Sequence, residues 1–184
     1  MTKKLLILSV VLLFTGGGLA RAQDEEPKPE TKPRTLVLEA EGGAKAEITV
    51  PAGVTVHSSA DEPLDWNFAI VDDKANIETG VRIDPLKPED AKKTEEAWQK
   101  AYLANVHELY DPKVEMKKDS ELALADGKKV SGYVYTSEYW KTRLVVIIPG
   151  AKTVTTFEVN AQTPEELKVQ DKAIAELIGS WKEK

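Results

Sequence analysis

The chain has 184 residues and no cysteine, with 25 Lys and Arg, 31 Asp and Glu, and a formal net charge of −6. Without cysteine, a disulfide framework, a thiolate metal site, a cysteine nucleophile and a lipid-modified N-terminal cysteine are all excluded. The acidic balance argues against a nucleic-acid-binding protein, which needs a basic face, and 41% hydrophobic with 30% charged residues is typical of a globular chain.

Residues Met1–Ala22 have the pattern of a secretory signal peptide. Two lysines precede the apolar segment Leu5–Phe14, and a cleavage signal of the A-x-A type ends at Ala22. The apolar segment is much shorter than the ~20 residues of a membrane-spanning helix. We therefore predict cleavage after Ala22, export to the periplasm or the extracellular medium, and no stable membrane insertion afterwards. Because the segment carries three basic residues and no acid, its removal would change the net charge from −6 to −9.

Residues 23–34 are rich in proline and charge and contain no large apolar side chain. Such a segment buries too little surface to offset its ordering entropy, so we predict a disordered spacer. An alternative is that its prolines dock to a partner. Residues 35–184 are predicted to form one domain, because their number is typical of a single hydrophobic core.

Two hairpins are predicted at the start of this domain. Thr35–Ala40 and Ala44–Val50 flank a Gly-Gly turn, and glycines between apolar runs are typical of a hairpin. Asn67–Val71 and Ile77–Asp84 flank a polar loop, and the second of these has the alternation of a half-buried strand.

A long helix is predicted over Lys87–Tyr110. Pro88 suits a first helical turn, and the acids that follow it complement the positive end of the helix dipole. Apolar side chains recur at helical spacing and are predicted to form the buried face. They are Ala91, Trp98, Ala101, Tyr102, Val106, Leu109 and Tyr110.

A second group of strands is predicted after this helix. Asp126-Gly127 indicates a two-residue hairpin turn, and the apolar run at the end of Trp140–Ile148 favours a central strand covered on both faces. Thr153–Val159 is predicted to close the sheet. The predicted strands are Val114–Met116, Glu121–Ala125, Lys129–Thr136, Trp140–Ile148 and Thr153–Val159.

A final helix is predicted to begin after Thr163, because Thr163 and Glu166 form a capping box with Pro164 at the first helical position. Its apolar face is predicted to be Leu167, Ile174, Leu177, Ile178 and Trp181. The order of strands, helix, strands and helix predicts an α+β fold, in which a mainly antiparallel sheet is packed by helices in two or three layers.

Three stretches of the chain resemble the PsbP-like superfamily, which includes DcrB-like and LpqN-like bacterial envelope proteins. They are Ile48–Val56, Glu95–Val106, and the C-terminal half from Tyr133 to the IGSW sequence at Ile178–Trp181. Members often have a tryptophan where this chain has Val54, and many are lipoproteins, whereas this chain has no cysteine to acylate. The resemblance implies a small α/β/α sandwich used for binding or assembly in the envelope, and it implies no set of catalytic residues.

The sequence predicts no catalytic set, no metal site and no cofactor. The histidines, His57 and His107, are far apart in sequence, and no G-x-S-x-G elbow accompanies Ser58 and Ser59 as candidate nucleophiles. Clustered acids favour calcium as an alternative, but they lack the spacing of a calcium-binding loop. These acids are Asp61, Asp65, Asp72 and Asp73.

An aromatic cluster with two neighbouring cations is the best candidate for a ligand or partner surface. Aromatic side chains are enriched at interfaces, and the cations suit an anionic group. The alternative is that the aromatic residues belong to the sheet core under a helix. The candidate residues are Tyr133, Tyr135, Tyr139, Trp140, Lys141 and Arg143.

The sequence therefore favours an exported, non-enzymatic protein with a binding or assembly role in the cell envelope. Its partner would be an unknown envelope protein or a small ligand, and not a nucleic acid. Two alternatives are a carrier of a small molecule or metal, with a pocket between sheet and helix, and an enzyme of unrecognised type. An enzyme would require several polar groups with shifted pKa values to converge on a concave site.

Overall fold

The computed structural model describes residues 28–58, 68–72, 77–138 and 141–184. Within them the chain forms strands, two α-helices and one turn of 3₁₀ helix at Pro88–Asp90. The helices are α1 (Glu95–Leu109) and α2 (Pro164–Gly179). The strands are β1 (Arg34–Glu39), β2 (Lys45–Val50), β3 (Thr55–Ser58), β4 (Phe68–Asp72), β5 (Ile77–Pro85), β6 (Lys117–Ala123), β7 (Lys129–Tyr135), β8 (Thr142–Pro149), β9 (Thr153–Ala161) and β10 (Lys182–Glu183).

Seven strands form a large antiparallel sheet in the order β3-β4-β5-β9-β8-β7-β6. The apolar run of β8 lies inside this sheet, as predicted. The expectation that Thr153–Val159 closes the sheet is wrong, because β9 lies between β5 and β8. Alternate β9 side chains are buried on both faces, with Phe157 on one face and Glu158 on the other, which is the environment of a central strand.

The apolar face of the large sheet is covered by α2 and by a small sheet of order β1-β2-β10. Alternate residues of β2, from Ala46 to Val50, point into this core, as period-2 alternation requires. All five residues of the predicted helix face are buried, but only four belong to α2, because Trp181 lies between the end of α2 and β10. The core includes Leu38, Ile48, Val81, Val146, Phe157, Leu167, Ile174, Leu177, Ile178 and Trp181.

Helix α1 covers the opposite face of the large sheet. Val106 of α1 packs with Val114, Tyr135 and Val145 in a smaller second core. The molecule therefore has three layers, with the large sheet between α1 on one side and α2 with the small sheet on the other. The predicted α+β architecture with a mainly antiparallel sheet is confirmed.

The predicted helix over Lys87–Tyr110 is wrong in its first two turns. Pro88–Asp90 is a 3₁₀ turn, and α1 begins at Glu95 because the Thr94 side chain accepts the Ala97 N–H and caps the helix there. Three residues assigned to its buried face are exposed. They are Ala91, Leu109 and Tyr110.

Two expectations for the following strands also need correction. Val114–Met116 is not a strand, and β6 begins at Lys117, because Val114 instead packs under α1. The hairpin between β6 and β7 is closed by the Leu124 N–H bonded to the Lys128 carbonyl, so its loop has three residues. Gly127 ends that loop with a φ of 83°, a conformation that favours glycine.

The described part of the predicted spacer contacts the domain through Glu30. Its N–H donates to the Val54 carbonyl, and its carbonyl accepts the Gly53 N–H, both at 2.7 Å. The contacts of the domain therefore begin before Thr35, the residue at which the domain was predicted to start.

The predicted signal peptide lies outside the described residues. Within the described residues, no helix is long and apolar enough to cross a membrane.

Glu183 of β10 fixes the C-terminal strand to the turn between β8 and β9. Its carboxylate accepts the N–H groups of Ala151, Lys152 and Thr153 at 2.6–2.9 Å. Burial opposes ionisation of Glu183, but these hydrogen bonds outweigh it, and the pKa of Glu183 is lowered. A Cβ at Gly150 would clash with this carboxylate, so the turn closes tightly around it.

We predict that Glu183→Gln lowers the free energy of unfolding by about 1–3 kcal/mol, the range for hydrogen bonds to a charged group. Because the folded-state pKa is lowered, the wild-type carboxylate contributes stability above its ordinary pKa of 4.5, and this contribution is lost as pH falls through the folded-state value. Chemical denaturation between pH 7 and pH 3 measures both effects. Glu89→Gln, an exposed control, should show neither, and an unchanged pH dependence in Glu183→Gln would contradict the assignment.

We also predict that Leu177→Ala destabilises the protein by about 3 kcal/mol, because it removes a buried side chain and leaves a cavity between α2 and the sheet. Leu177 is 5% exposed. The neighbouring exposed Glu176→Ala variant should differ from wild type by less than about 0.5 kcal/mol. Thermal and urea unfolding measure the difference, and equal stabilities of the two variants would argue against the packing of α2.

Candidate functional site

A buried ion pair lies on the sheet face under α1. Arg143 of β8 and Glu158 of β9 have side chains that are 5% and 9% exposed. The Arg143 Nη1 donates to the Glu158 Oε2 at 2.6 Å, and the Arg143 Nε donates to the Asn160 Oδ1 at 2.6 Å. A buried charge is tolerated only when it is paired and hydrogen-bonded, and the register of β8 and β9 provides both partners.

Two tyrosines cover this ion pair. Tyr102 comes from α1 and Tyr135 from β7, and their hydroxyl oxygens are 3.5 Å apart. Burial raises the pKa of Tyr102, and the Glu158 charge raises it further. Burial is also the main cause of the raised pKa of Tyr135. Both hydroxyls therefore remain protonated near neutral pH and serve as neutral hydrogen-bonding groups.

Arg143 stays charged in this environment. Burial disfavours the charged guanidinium, but the Glu158 carboxylate and then the Tyr135 and Tyr102 hydroxyls outweigh it, so the pKa of Arg143 is raised. The network is thus a fixed arrangement of charge and hydrogen bonds that joins α1, β7, β8 and β9. It connects the helix to the centre of the sheet.

A cleft of about 480 Å³ opens next to this network, between α1, the 84–93 segment and the central strands. Tyr102 is shared by the network and the cleft. Apolar and polar groups of the sheet form its floor, and charged side chains surround it. The lining residues used below are Glu41, Arg82, Asp84, Lys87, Asp90, Lys93 and Trp98.

Most of the charges in the cleft are paired with one another. The Arg82 Nε lies 3.1 Å from the Asp84 Oδ2, and the Lys93 Nζ lies 2.7 Å from the Asp90 Oδ1. Within the described residues, Glu41 forms no ion pair, and neither does Lys87. Among the described residues, the cleft therefore offers one carboxylate, that of Glu41, and one ammonium group, that of Lys87, for pairing with an incoming molecule.

Trp98 gives the cleft an aromatic wall. The Lys93 Nζ lies 4.7 Å from the centroid of the Trp98 ring, within the range of a cation–π contact. The indole Nε1 is buried and has no hydrogen-bond partner among the described residues. A buried donor without a partner costs free energy, and an incoming acceptor would reach this N–H only after a movement of the ring or its neighbours.

The structure places the candidate residues of the aromatic cluster in different environments. Tyr135 and Arg143 are buried, which agrees with the alternative that the cluster belongs to the sheet core. Tyr133 is half-buried, and Lys141 is exposed. Tyr139 and Trp140 lie outside the described residues. Binding of a ligand or partner by these six residues stays a prediction.

Tyr133 contacts α1 at the edge of this region. Its hydroxyl donates to the Glu95 Oε1 at 2.6 Å. Burial and the Glu95 carboxylate raise the pKa of Tyr133 to about 12. Burial opposes ionisation of Glu95, but hydrogen bonds from Ser131 and Tyr133 outweigh it, so the pKa of Glu95 is lowered. This contact fixes the first turn of α1 on β7.

The other candidate residues are not brought together. His57 lies in β3, and the His107 Nε2 lies 2.7 Å from the Val114 carbonyl oxygen. In the part of the chain that the structure describes, no group of three or more potential metal ligands is assembled. Of the calcium candidates, Asp72 ends β4, whereas the other three acids lie outside this part, as does Ser59.

Sequence reasoning missed the partners that matter most in this region. Trp98 and Tyr102 were assigned only to a buried helix face, and Glu158 was read as part of a β-branched strand. A signal was present, because Glu158 is the one charged residue in β9 and a buried charge needs a partner. Arg143 is the one charged residue in β8 and lies two residues from Val145, the residue that pairs with Glu158.

Comparison with known proteins identifies the fold. The chain matches no model of a protein family and no curated protein. It is similar to the solution structure of cyanobacterial PsbP (CyanoP) from Synechocystis sp. PCC 6803, with a TM-score of 0.59 and 11% identity, over 94% of this chain and 99% of that one. The fold is PsbP-like. The finer resemblance to DcrB-like and LpqN-like proteins stays a prediction.

We predict that Arg143→Met lowers the free energy of unfolding by about 3–5 kcal/mol, because it leaves the Glu158 charge buried without its partner. The double variant Arg143→Met/Glu158→Leu should recover most of this loss, since an apolar pair of similar size replaces both charges. Urea denaturation measures the three stabilities.

The exposed ion pair of Lys129 and Glu121, 2.8 Å apart, provides the control. Lys129→Met should cost less than about 1 kcal/mol, as surface pairs do. Equal losses in Arg143→Met and Lys129→Met would show that the buried pair is not a structural requirement.

Proposed function

We propose that this protein is a non-enzymatic binding protein of the cell envelope that assembles with a partner through the cleft beside α1. The observation that carries the proposal is the cleft itself, which has the Trp98 ring as a wall and in which Glu41 and Lys87 have no ion-pair partner among the described residues. These two charged side chains are exposed and available for recognition. The PsbP-like fold supports an accessory or assembly role by analogy, since fold alone does not determine function.

Export is part of this proposal. It rests on the signal-peptide pattern of Met1–Ala22, with a lysine pair, a short apolar segment and an A-x-A site. The expected location is the periplasm or the extracellular medium. Mass spectrometry of the N-terminus of protein from the envelope fraction tests it, because cleavage after Ala22 leaves Gln23 as the first residue.

A second candidate function is transport of a small molecule. The cleft volume of about 480 Å³ favours it, because small-molecule sites in proteins commonly have ~300–1,000 Å³. Tyr102 and Trp98 would then contact the body of the ligand, while Lys87 or Glu41 would pair with its charged group. Tyr133, Tyr139 and Trp140 with the cation Lys141 remain a further proposed contact surface.

The charge-reversal variant Lys87→Glu is expected to abolish binding through the cleft. Lys168→Glu is the matched control, because it makes the same charge change on the exposed surface of α2. Affinity capture from an envelope fraction should recover the same partner with wild type and with Lys168→Glu, but not with Lys87→Glu. Capture that is equal with all three proteins would contradict the proposal.

Native mass spectrometry separates the two candidate functions. A bound small molecule should appear as an added mass on wild type and Lys168→Glu that is lost from Lys87→Glu. Tryptophan fluorescence adds a local readout, since Trp98→Phe should remove the component that changes on binding. An added mass that survives Lys87→Glu would place the ligand elsewhere.

A further inference from the structure

Strand β1 is an exposed edge of the small sheet. It pairs with β2 on one side only, and no described strand lies on its other side. Val37, in the middle of the strand, is 52% exposed and is one of few large apolar side chains that the described part of the chain presents to solvent. An exposed edge strand with an apolar residue is a template for pairing with another strand.

The hydrogen-bond register shows which β1 backbone groups are available. The Ala40 N–H donates to the Ala44 carbonyl at 2.8 Å, so Ala40 and Ala44 form a hydrogen-bonded pair at the end of the hairpin. Bonded pairs alternate along an antiparallel ladder. The N–H and C=O groups of Thr35, Val37 and Glu39 therefore point away from β2, toward the open edge.

Contacts of β2 support this register independently. The β2 residues that lie opposite Thr35, Val37 and Glu39 should point their own backbone N–H and C=O groups away from β1, toward β10. There, the Thr49 N–H donates to the Ser180 Oγ at 2.7 Å, and the Lys45 carbonyl accepts the Lys184 N–H at 2.9 Å. Both bonds lie on the β10 side, as the alternation requires.

Strand β6, an edge of the large sheet, is built differently. Strand β6 carries charged residues over most of its first half and has an irregular register between Lys118 and Ser120. Charges and bulges at an edge prevent strand addition. In β1 the charged residues are only the first and the last, Arg34 and Glu39, and the register is regular throughout.

We propose that β1 pairs antiparallel with β1 of a second copy of this chain, with a two-fold axis at Val37. In this register Val37 faces Val37, Leu36 faces Leu38, and Thr35 faces Glu39, so no like charges are opposed. The two Val37 residues exchange N–H···O=C bonds, because their backbone groups point to the open edge. No β1 residue lines the cleft, and the proposal does not depend on the proposed function.

Local charges favour the same partner. The outer face of the small sheet carries Glu39 beside Lys45, 2.8 Å apart, and Glu47 beside Lys184, 2.7 Å apart. The Glu39–Lys45 pair balances the charge next to the edge, and the Glu47–Lys184 pair does so farther in, so two copies can approach at the edge although the chain is acidic overall. The contact is small compared with a standard interface of ~1,600 Å², and dimerisation should therefore depend strongly on concentration.

Because the chain has no cysteine, a single introduced thiol can locate the interface. In a hydrogen-bonded antiparallel pair the Cα atoms lie ~5.5 Å apart, within the range of a disulfide. Val37→Cys should therefore form a disulfide-linked dimer under mild oxidation, seen by non-reducing electrophoresis and intact mass. Thr49→Cys, exposed on the same face but away from the edge, is the control and should cross-link much more slowly.

Sedimentation equilibrium provides a second readout without cross-linking. Full-length protein should shift from monomer toward dimer between about 10 µM and about 1 mM, the range expected of a small interface. Val37→Lys should stay monomeric, and Thr49→Lys, with the same charge change, should behave as wild type. Circular dichroism establishes that both variants are folded.

Equal cross-linking of the two cysteine variants would overturn the proposal. Dimerisation that persists in Val37→Lys would overturn it as well and place the contact on another surface. A monomer at every concentration, with no selective cross-linking, would also overturn it, and would leave a strand of a different protein as the occupant of the edge.

Discussion

The burial of β8 and β9 on both faces is the constraint on which the rest of this structure depends. Polar groups on these strands cannot reach water, so each needs a partner within the protein. On one face the Trp181 Nε1 donates to the Thr155 Oγ1 at 3.0 Å, and Glu183 accepts the Thr153 hydroxyl. The C-terminal segment after α2 is therefore held in place by the central strand that it covers.

The same constraint acts differently on the opposite face. There Arg143 and Glu158 satisfy one another, and Tyr102 from α1 closes over them. Helix α1 buries only Val106 completely, so its position depends on this polar network and on the Tyr133–Glu95 bond as well as on apolar packing. The cleft with Trp98 lies at the border of this polar layer, where the helix and the sheet separate.

Local signals in the sequence predicted the parts of the fold that depend on local chemistry. The capping box of Thr163 and Glu166 is present, with the Glu166 carboxylate accepting the Thr163 N–H at 3.1 Å. The early hairpin and the central position of β8 were also predictable from turn residues and apolar runs. The start of α1 was predicted wrongly, because Pro88 suits a first helical turn, whereas the helix begins after Thr94, whose side chain caps it.

The candidate site was less accessible from sequence because it depends on residues that are distant along the chain. Arg143 was predicted as a binding residue because it lies near aromatic residues in the sequence. Its partner Glu158 could not be predicted in this way, because the two side chains meet only when β8 pairs with β9. The place of β9 at the sheet centre depends in turn on its pairing with β5, which no local pattern encodes. Trp98 had the spacing of an ordinary helix core residue, and this spacing does not indicate that its indole N–H has no partner in the described part of the chain.

The small sheet has a consequence for how the chain folds. Strand β2 lies between β1 and β10, and Thr49 is hydrogen-bonded to Ser180, 131 residues later in the sequence. Contacts between such distant segments slow folding, because a large loop must close before they form. The β1–β2 hairpin can form early, but its partner strand and the Ser180 contact appear only after residues 180–184 emerge from the ribosome. The small sheet is therefore completed only after residues 180–184 have been synthesised.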